Sequence, residues 1–428
     1  MRGIRLDGAR DGLLVLLSSI VMRLGALFAS IIASRTVSME TLAEITTLLF
    51  GYQTFASIAV GGFLPLVTKK IAASKDWPRA LALNIDALYR VTAILAVISV
   101  IGFFAVLILF IDNLNIMAAL LFGAATFLNV HFHKFQASQL GFSGFSEYSK
   151  GNIVFSAALL VSLPAMWVWR EPWACAASYF FANAAATTYA RMRVTRRVNS
   201  PAIRSLSSSL RRRYLKSIGS SSVKLLATNM FIFPSLFILS LSLNRSALPL
   251  QTSTFNILMQ WRSVLSLVPG AVTQAHLPRL SGKTSDWRAK WSRFLLQYVI
   301  VSTLSLGGFY FGGKFLLSIY NAEIANNKSA ITALSVAMLF TLINACAGQY
   351  LFLQKRYKVN LASNAVWVTI LLAQVFFFEI ESATIAISAL ALAAISQSAF
   401  LTVYLIVFFE LATFSCKKVR AQFWRDSL

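Results

Sequence analysis

Acidic residues are the scarcest charged groups in this 428-residue chain, with 15 Asp and Glu against 39 Lys and Arg. None falls deep within an apolar run. Glu44 and Asp86 come nearest to the interior of one, each within about a helical turn of an end. This excludes a buried carboxylate as a proton relay and argues against a site for a cationic drug. Histidine and cysteine are as sparse, with three of each. Cys175, Cys346 and Cys416 are too scattered for a disulfide framework or a metal site. His131 and His133 are neighbours without a third ligand, and His276 is remote, so all three read as interfacial residues. HExxH, Asp-rich metal motifs, paired carboxylates and phosphate-binding glycine loops are missing as well. No cofactor is implied, and the chain does not read as an enzyme.

What is abundant is apolar. Hydrophobic residues make up 57% of the chain and charged residues only 13%, where soluble proteins carry about 25%. The apolar residues come in runs of about twenty, enough to cross a bilayer as helix. A β-barrel would instead alternate over about ten residues. The expected fold class is an all-α polytopic membrane protein of about twelve helices, in two six-helix lobes around a central cationic cavity. The first six spans are placed at 12–34, 44–66, 91–111, 115–133, 151–169 and 172–190. The second six are placed at 218–242, 248–270, 294–313, 329–350, 359–378 and 383–408. The first run is read as an uncleaved span, because a signal peptide would not carry Arg23 inside its apolar region.

The basic residues test that layout. With both termini on the same side, 31 of the 39 Lys and Arg fall in the termini and loops of that side. Only Arg35, Arg170, Arg245, Lys314 and Lys328 fall opposite. Such a bias in short loops marks the cytoplasmic side. The formal net charge of +24 is therefore explained by topology and by anionic membrane lipids. No nucleic acid is implied as a partner. The longest basic loop, 191–217, separates an N-terminal lobe (1–190) from a C-terminal lobe with a short cytoplasmic tail (218–428). Six spans per half make any repeat a parallel one. SSIVMR in span one matches SSSVK in span seven, and Asp76-Trp77 after span two matches Asp286-Trp287 after span eight.

Three cations remain inside spans: Arg23, Lys224 and Arg262. A basic side chain there costs about 2.5–3.5 kcal/mol on insertion scales, so it tends to face protein or a watery cavity. Ser19, Ser30 and Ser34 fall within about 40° of the face of Arg23. Ser217, Ser220, Thr228, Ser235 and Ser242 do the same for Lys224. Span eight carries its own stripe of Thr252, Asn256, Gln260 and Ser263, with Arg262 off to one side. The first span of each half thus offers one cation on a polar stripe. Arg and Lys are natural phosphate partners, so the expected ligand is anionic. Ser19, Ser30, Ser220, Thr228, Asn256 and Gln260 are the expected polar lining. Loops on the less basic side are short, the longest being about 314–328, and leave no room for an external active-site domain. That counts against a membrane polymerase or ligase.

Two stretches carry a family likeness. One is HKFQASQLGFSGFSEYSKGNIVFSAALLVSL (133–163), with Gln136, Phe145, Tyr148 and Asn152. The other is LFGYQTFASIAVGGFLPLVTKK, with Gly61-Gly62 before a basic end. With the six-plus-six layout, they make the chain resemble the polysaccharide transporters of the multidrug/oligosaccharidyl-lipid/polysaccharide exporter superfamily, in particular the O-antigen flippases. The resemblance implies alternating access in the bacterial inner membrane and an undecaprenyl-pyrophosphate-linked oligosaccharide as substrate. A polysaccharide polymerase and other assembly proteins are the implied partners. Arg23, Lys224 and Arg262 would hold the pyrophosphate. The rivals are a multidrug exporter of the same superfamily and the lipid II flippase branch, which typically has two further spans.

Overall fold

The computed structural model describes residues 3–61, 76–111, 115–198, 232–267, 287–354 and 356–426, with isolated positions between them. Among these residues the secondary structure is helical throughout. The long helices are α1 (Gly3–Thr36), α2 (Met39–Gly61), α3 (Pro78–Phe110), α4 (Ile116–Gly141), α5 (Phe145–Ser162) and α6 (Pro172–Val198). They continue with α7 (232–246), α8 (Pro249–Leu265), α9 (Trp287–Ser318), α10 (Lys328–Leu353), α11 (Tyr357–Phe377) and α12 (Ala383–Asp426). Single turns at Ala165–Trp169 and Ala322–Ala325 join α5 to α6 and α9 to α10. Eight of the described helices are long and apolar enough to span a membrane. This is a multi-pass membrane protein.

Several spans are longer than the apolar runs. The fourth extends to Gly141, so Lys134 and Gln136, expected in a loop, are helical. They are buried in the lobe and not in water. Lys134 is held over the rings of Tyr89 and Phe135, at 4.7 and 4.6 Å. Phe145 and Tyr148, also expected in a loop, lie in the first turn of α5. Arg191–Val198, assigned to the central linker, continues α6. The rest of that linker falls almost entirely outside the described residues.

Helices α1–α6 pack as one bundle and α9–α12 as another, with α8 touching both. In lipid, apolar burial does not drive helices together, and close backbone approach over small side chains does. The pair α4 and α6 makes the most extensive contact. On α6, Ala174, Ser178, Ala182, Ala186 and Ala190 recur every four residues and are all buried. Small side chains of this kind permit close helix approach. Ser178 meets Ser162 of α5, while the neighbouring Asn183 and Thr187 reach Asn129 and the Leu128 carbonyl of α4. Large apolar residues such as Ile94, Ile98, Ile101 and Ile108 of α3 point outward instead.

The two acids nearest a span interior have structural partners. Glu44 accepts a hydrogen bond from the backbone N–H of Asn115 at the start of α4 (3.1 Å), where the helix dipole favours a negative charge. Asp86 pairs with Arg90 one turn away, at 3.0 Å.

Candidate functional site: a polar cleft closed at one end

The two bundles meet in a seam on the side opposite the basic loops. Ser30 of α1 donates to Gln260 Oε1 of α8 at 2.7 Å. Asn256 of α8 donates to Thr47 Oγ1 (3.1 Å) and accepts from Ser240 of α7 (2.7 Å). The last turn of α1 reaches the segment after α9, with Ser34 donating to the Tyr320 carbonyl and Arg35 Nε to the Ile319 carbonyl, at 3.3 and 2.8 Å. Below these, Phe237 of α7 packs edge-on against Phe50 and Phe55 of α2. Gly51 permits that approach, because a Cβ there would lie 2.6 Å from the Phe237 ring.

The seam opens along α1. Arg23 lies seven residues before Ser30, hence about 20° from its face and roughly 10 Å nearer the basic side. Ser30 is 2% exposed, whereas Arg23 is exposed. The same helix face is therefore sealed at Ser30 and open at Arg23. The Arg23 guanidinium makes no hydrogen bond or ion pair among the described residues. It lies within Coulombic range of Tyr52, Tyr148, Tyr179 and His133.

Two buried hydrogen-bond networks run through the bundle near Arg23. Asn129 Nδ2 donates to the Tyr52 hydroxyl and to Asn183 Oδ1, both at 2.9 Å, and Asn183 Nδ2 donates to Tyr52 at 3.0 Å. A second chain runs from His133 Nδ1 to Gln136 Oε1 (2.7 Å), from Gln136 Nε2 to Asn152 Oδ1 (2.5 Å), and from Asn152 Nδ2 to Ser18 Oγ (3.1 Å). Ser18 ends the chain by donating to the Val15 carbonyl at 3.0 Å. His133 is thus part of the bundle interior and not interfacial. The signal for it was the spacing of Asn129, His133 and Gln136, which share one face of α4 once that helix is carried past residue 133.

The structure places the other candidates apart. Ser19 is half-buried and spends its hydroxyl on the Val15 carbonyl of its own helix (2.7 Å). Ser30, Asn256 and Gln260, expected to line open space, are buried in the seam, because each finds a partner across it. Arg262 is half-buried in the last turn of α8, without a partner among the described residues, where the helix carbonyl end favours a cation. Lys224, Ser220 and Thr228 lie outside the described residues. A separate cavity of about 870 Å³ between α9 and α10 is lined mainly by apolar residues such as Leu295, Val336 and Leu339, with hydroxyls such as those of Ser302 and Ser335 and no cationic side chain.

Comparison with known proteins places this arrangement. No family model and no curated protein matches the sequence. Solved structures do match. An inward-facing multidrug resistance MATE family transporter of the MOP superfamily superposes with a TM-score of 0.68 at 11% identity, over 92% of this chain and 98% of that one. The lipid II flippase MurJ, in an inward closed conformation, also gives 0.68 at 11% identity, over 92% and 87%. An outward-facing MATE family transporter of the superfamily gives 0.60 at 13% identity, over 96% of each chain. The chain has the fold of these two-lobed, twelve-helix transporters.

Proposed function

We propose that this protein is a flippase that carries an undecaprenyl-pyrophosphate-linked oligosaccharide, an O-antigen or exopolysaccharide repeat unit, to the outer leaflet of a bacterial inner membrane. The observation that carries this reading is Arg23, an exposed guanidinium deep in a membrane helix, with no hydrogen-bond or ion-pair partner among the described residues. A charge there is costly unless a ligand or water meets it, and guanidinium binds phosphate oxygens in a bidentate fork. Lys224 at the matching place of the second half would supply the other anchor. Arg262 would contact the same headgroup from α8. The sugar would occupy the polar cleft while the lipid tail stays in the bilayer.

In this reading the basic side is the cytoplasm, both termini lie there, and residues 1–190 and 218–428 are the moving lobes, joined by 191–217. The seam then closes the outer end and the cleft faces inward. The higher TM-score to the inward-facing relative than to the outward-facing one supports that assignment. Anionic lipids would lie along the basic face, and a polysaccharide polymerase would take the product.

Deleting the gene tests the function. Loss of one surface polysaccharide, with its undecaprenyl-linked repeat unit accumulating on the cytoplasmic side, is the expected result. Intact polysaccharide with new sensitivity to cationic dyes would move the function to multidrug export. Within the site, Arg262→Ala should lower polysaccharide delivery less than loss of either anchor, because its side chain is already favoured by its own helix end. Equal loss would make Arg262 a primary anchor.

A further inference from the structure

The hydrogen-bond chain that ends on His133 has a fixed direction. The Val15 carbonyl can only accept, so Ser18 donates to it. Asn152 Nδ2 then donates to Ser18, which leaves Asn152 Oδ1 to accept from Gln136 Nε2. Gln136 Oε1 must in turn accept, so His133 carries its proton on Nδ1. Nε2 is left without a partner among the described residues. In the neutral ring Nε2 presents a lone pair, which repels an oxyanion. In the protonated ring it becomes a charged N–H donor.

We infer that His133 and Arg23 form one oxyanion pocket in the N-terminal bundle, in which a proton on His133 supplies the second cation for a phosphate or pyrophosphate group. This rests on the proposed function and names a regulator of that same site. Three helices meet in the pocket. Arg23 comes from α1, His133 and Gln136 from α4, and Asn152, which orients the amide of Gln136, from α5.

The surrounding charges leave His133 as the group that can switch. From α2, α5 and α6 the titratable groups near Arg23 are the phenols of Tyr52, Tyr148 and Tyr179. A phenol ordinarily ionises near pH 10, well above the range of an imidazole, about pH 5 to 8. On α4 itself, Lys134 sits over Tyr89 and Phe135, and His131 is stacked on Phe127. On α3, Asp86 is bound to Arg90. Arg191 of α6 bears on Lys134 and Tyr89. Glu147 and Lys150 flank Tyr148 at the start of α5. Glu44 of α2 accepts from the Asn115 backbone, Arg35 of α1 donates to the Ile319 carbonyl, and Arg193, Arg196 and Arg197 lie in the last turns of α6.

The sign follows. Protonated His133 strengthens anion binding, so affinity falls as pH rises. By linkage, a bound anion draws a proton onto the ring to the same extent. Release of the headgroup and release of the proton are then one event, which gives the cleft a means of letting go that needs no buried carboxylate.

The test is titration of the full-length protein in lipid nanodiscs with inorganic pyrophosphate from about pH 5.5 to about pH 8. Affinity should fall on the order of tenfold across that range. Free pyrophosphate gains negative charge as pH rises, so a fixed cation alone would give the opposite slope. His133→Gln should remove the fall, and His133→Lys should hold affinity high at both ends. Retention of the wild-type pH profile by both variants, or its loss in Glu147→Gln, would overturn the inference while leaving Arg23 as the anchor. Binding that is unchanged in Arg23→Ala, or no binding to the wild type, would overturn both.

Discussion

Arg23→Ala should abolish surface polysaccharide while leaving the amount of protein in the membrane unchanged. Both halves of that outcome follow from the absence of a partner. A guanidinium with no hydrogen bond among the described residues leaves no orphaned acceptor among them when it is removed. Taking a cation out of a membrane helix also eases insertion by about 2.5–3.5 kcal/mol. The fold therefore loses nothing, and the loss falls on the ligand. Hydrogen bonds to charged groups contribute about 1.5–3 kcal/mol each. At 1.4 kcal/mol per factor of ten, losing one costs roughly 10- to 150-fold in headgroup affinity. A bidentate contact loses more. Arg23→Lys should recover part of the activity, since it restores the charge but not the planar fork. Lys224→Ala should match Arg23→Ala if the two halves share one headgroup. The readouts are surface polysaccharide and membrane protein level in the same cells, and normal polysaccharide in both alanine variants would refute the anchor.

The place of Arg23 within a long helix was legible in the sequence because a charge in a run of apolar residues stands out, and so was the two-lobed helical fold, because apolar runs of about twenty residues have few alternatives. The pocket around Arg23 was less legible. His133, Gln136 and Lys134 follow the apolar part of span four, and polarity after an apolar run usually signals a loop. Here the polarity is satisfied inside the bundle, by Asn152 and by the rings of Tyr89 and Phe135. A buried polar network and a solvated loop end have the same composition. They differ only in whether partners from other helices arrive, which no single stretch of sequence states. Ser30, Asn256 and Gln260 show the converse. Their helical spacing gave a polar face, but a face that lines a cleft in one state of a two-lobed transporter can close the seam in the other.

That ambiguity yields the second large effect. Among the described residues, Ser30, Ser34, Arg35 and Asn256 make polar contacts across the seam from α1 and α8, and Arg245 of α7 donates to the Leu109 carbonyl of α3. In membrane proteins such hydrogen bonds average about 0.6 kcal/mol, so five contribute only ~3 kcal/mol. An energy that small keeps the opposite state populated and lets a bound ligand shift the balance. Pinning the seam should therefore stop the cycle without damaging the site. In a chain lacking Cys175, Cys346 and Cys416, Ser30→Cys and Gln260→Cys should be bridged by a short methanethiosulfonate cross-linker, because the native side chains approach to 2.7 Å. Transport of the lipid-linked substrate in proteoliposomes should cease on bridging and return when reductant cleaves the linker. Pyrophosphate should still bind from the basic side while the seam is locked, because Arg23 lies on the open part of the same helix face. Transport that continues through a bridged seam would mean that the lobes do not part there. Alternating access would then need a different hinge, and Ser30 and Gln260 would be ordinary packing contacts.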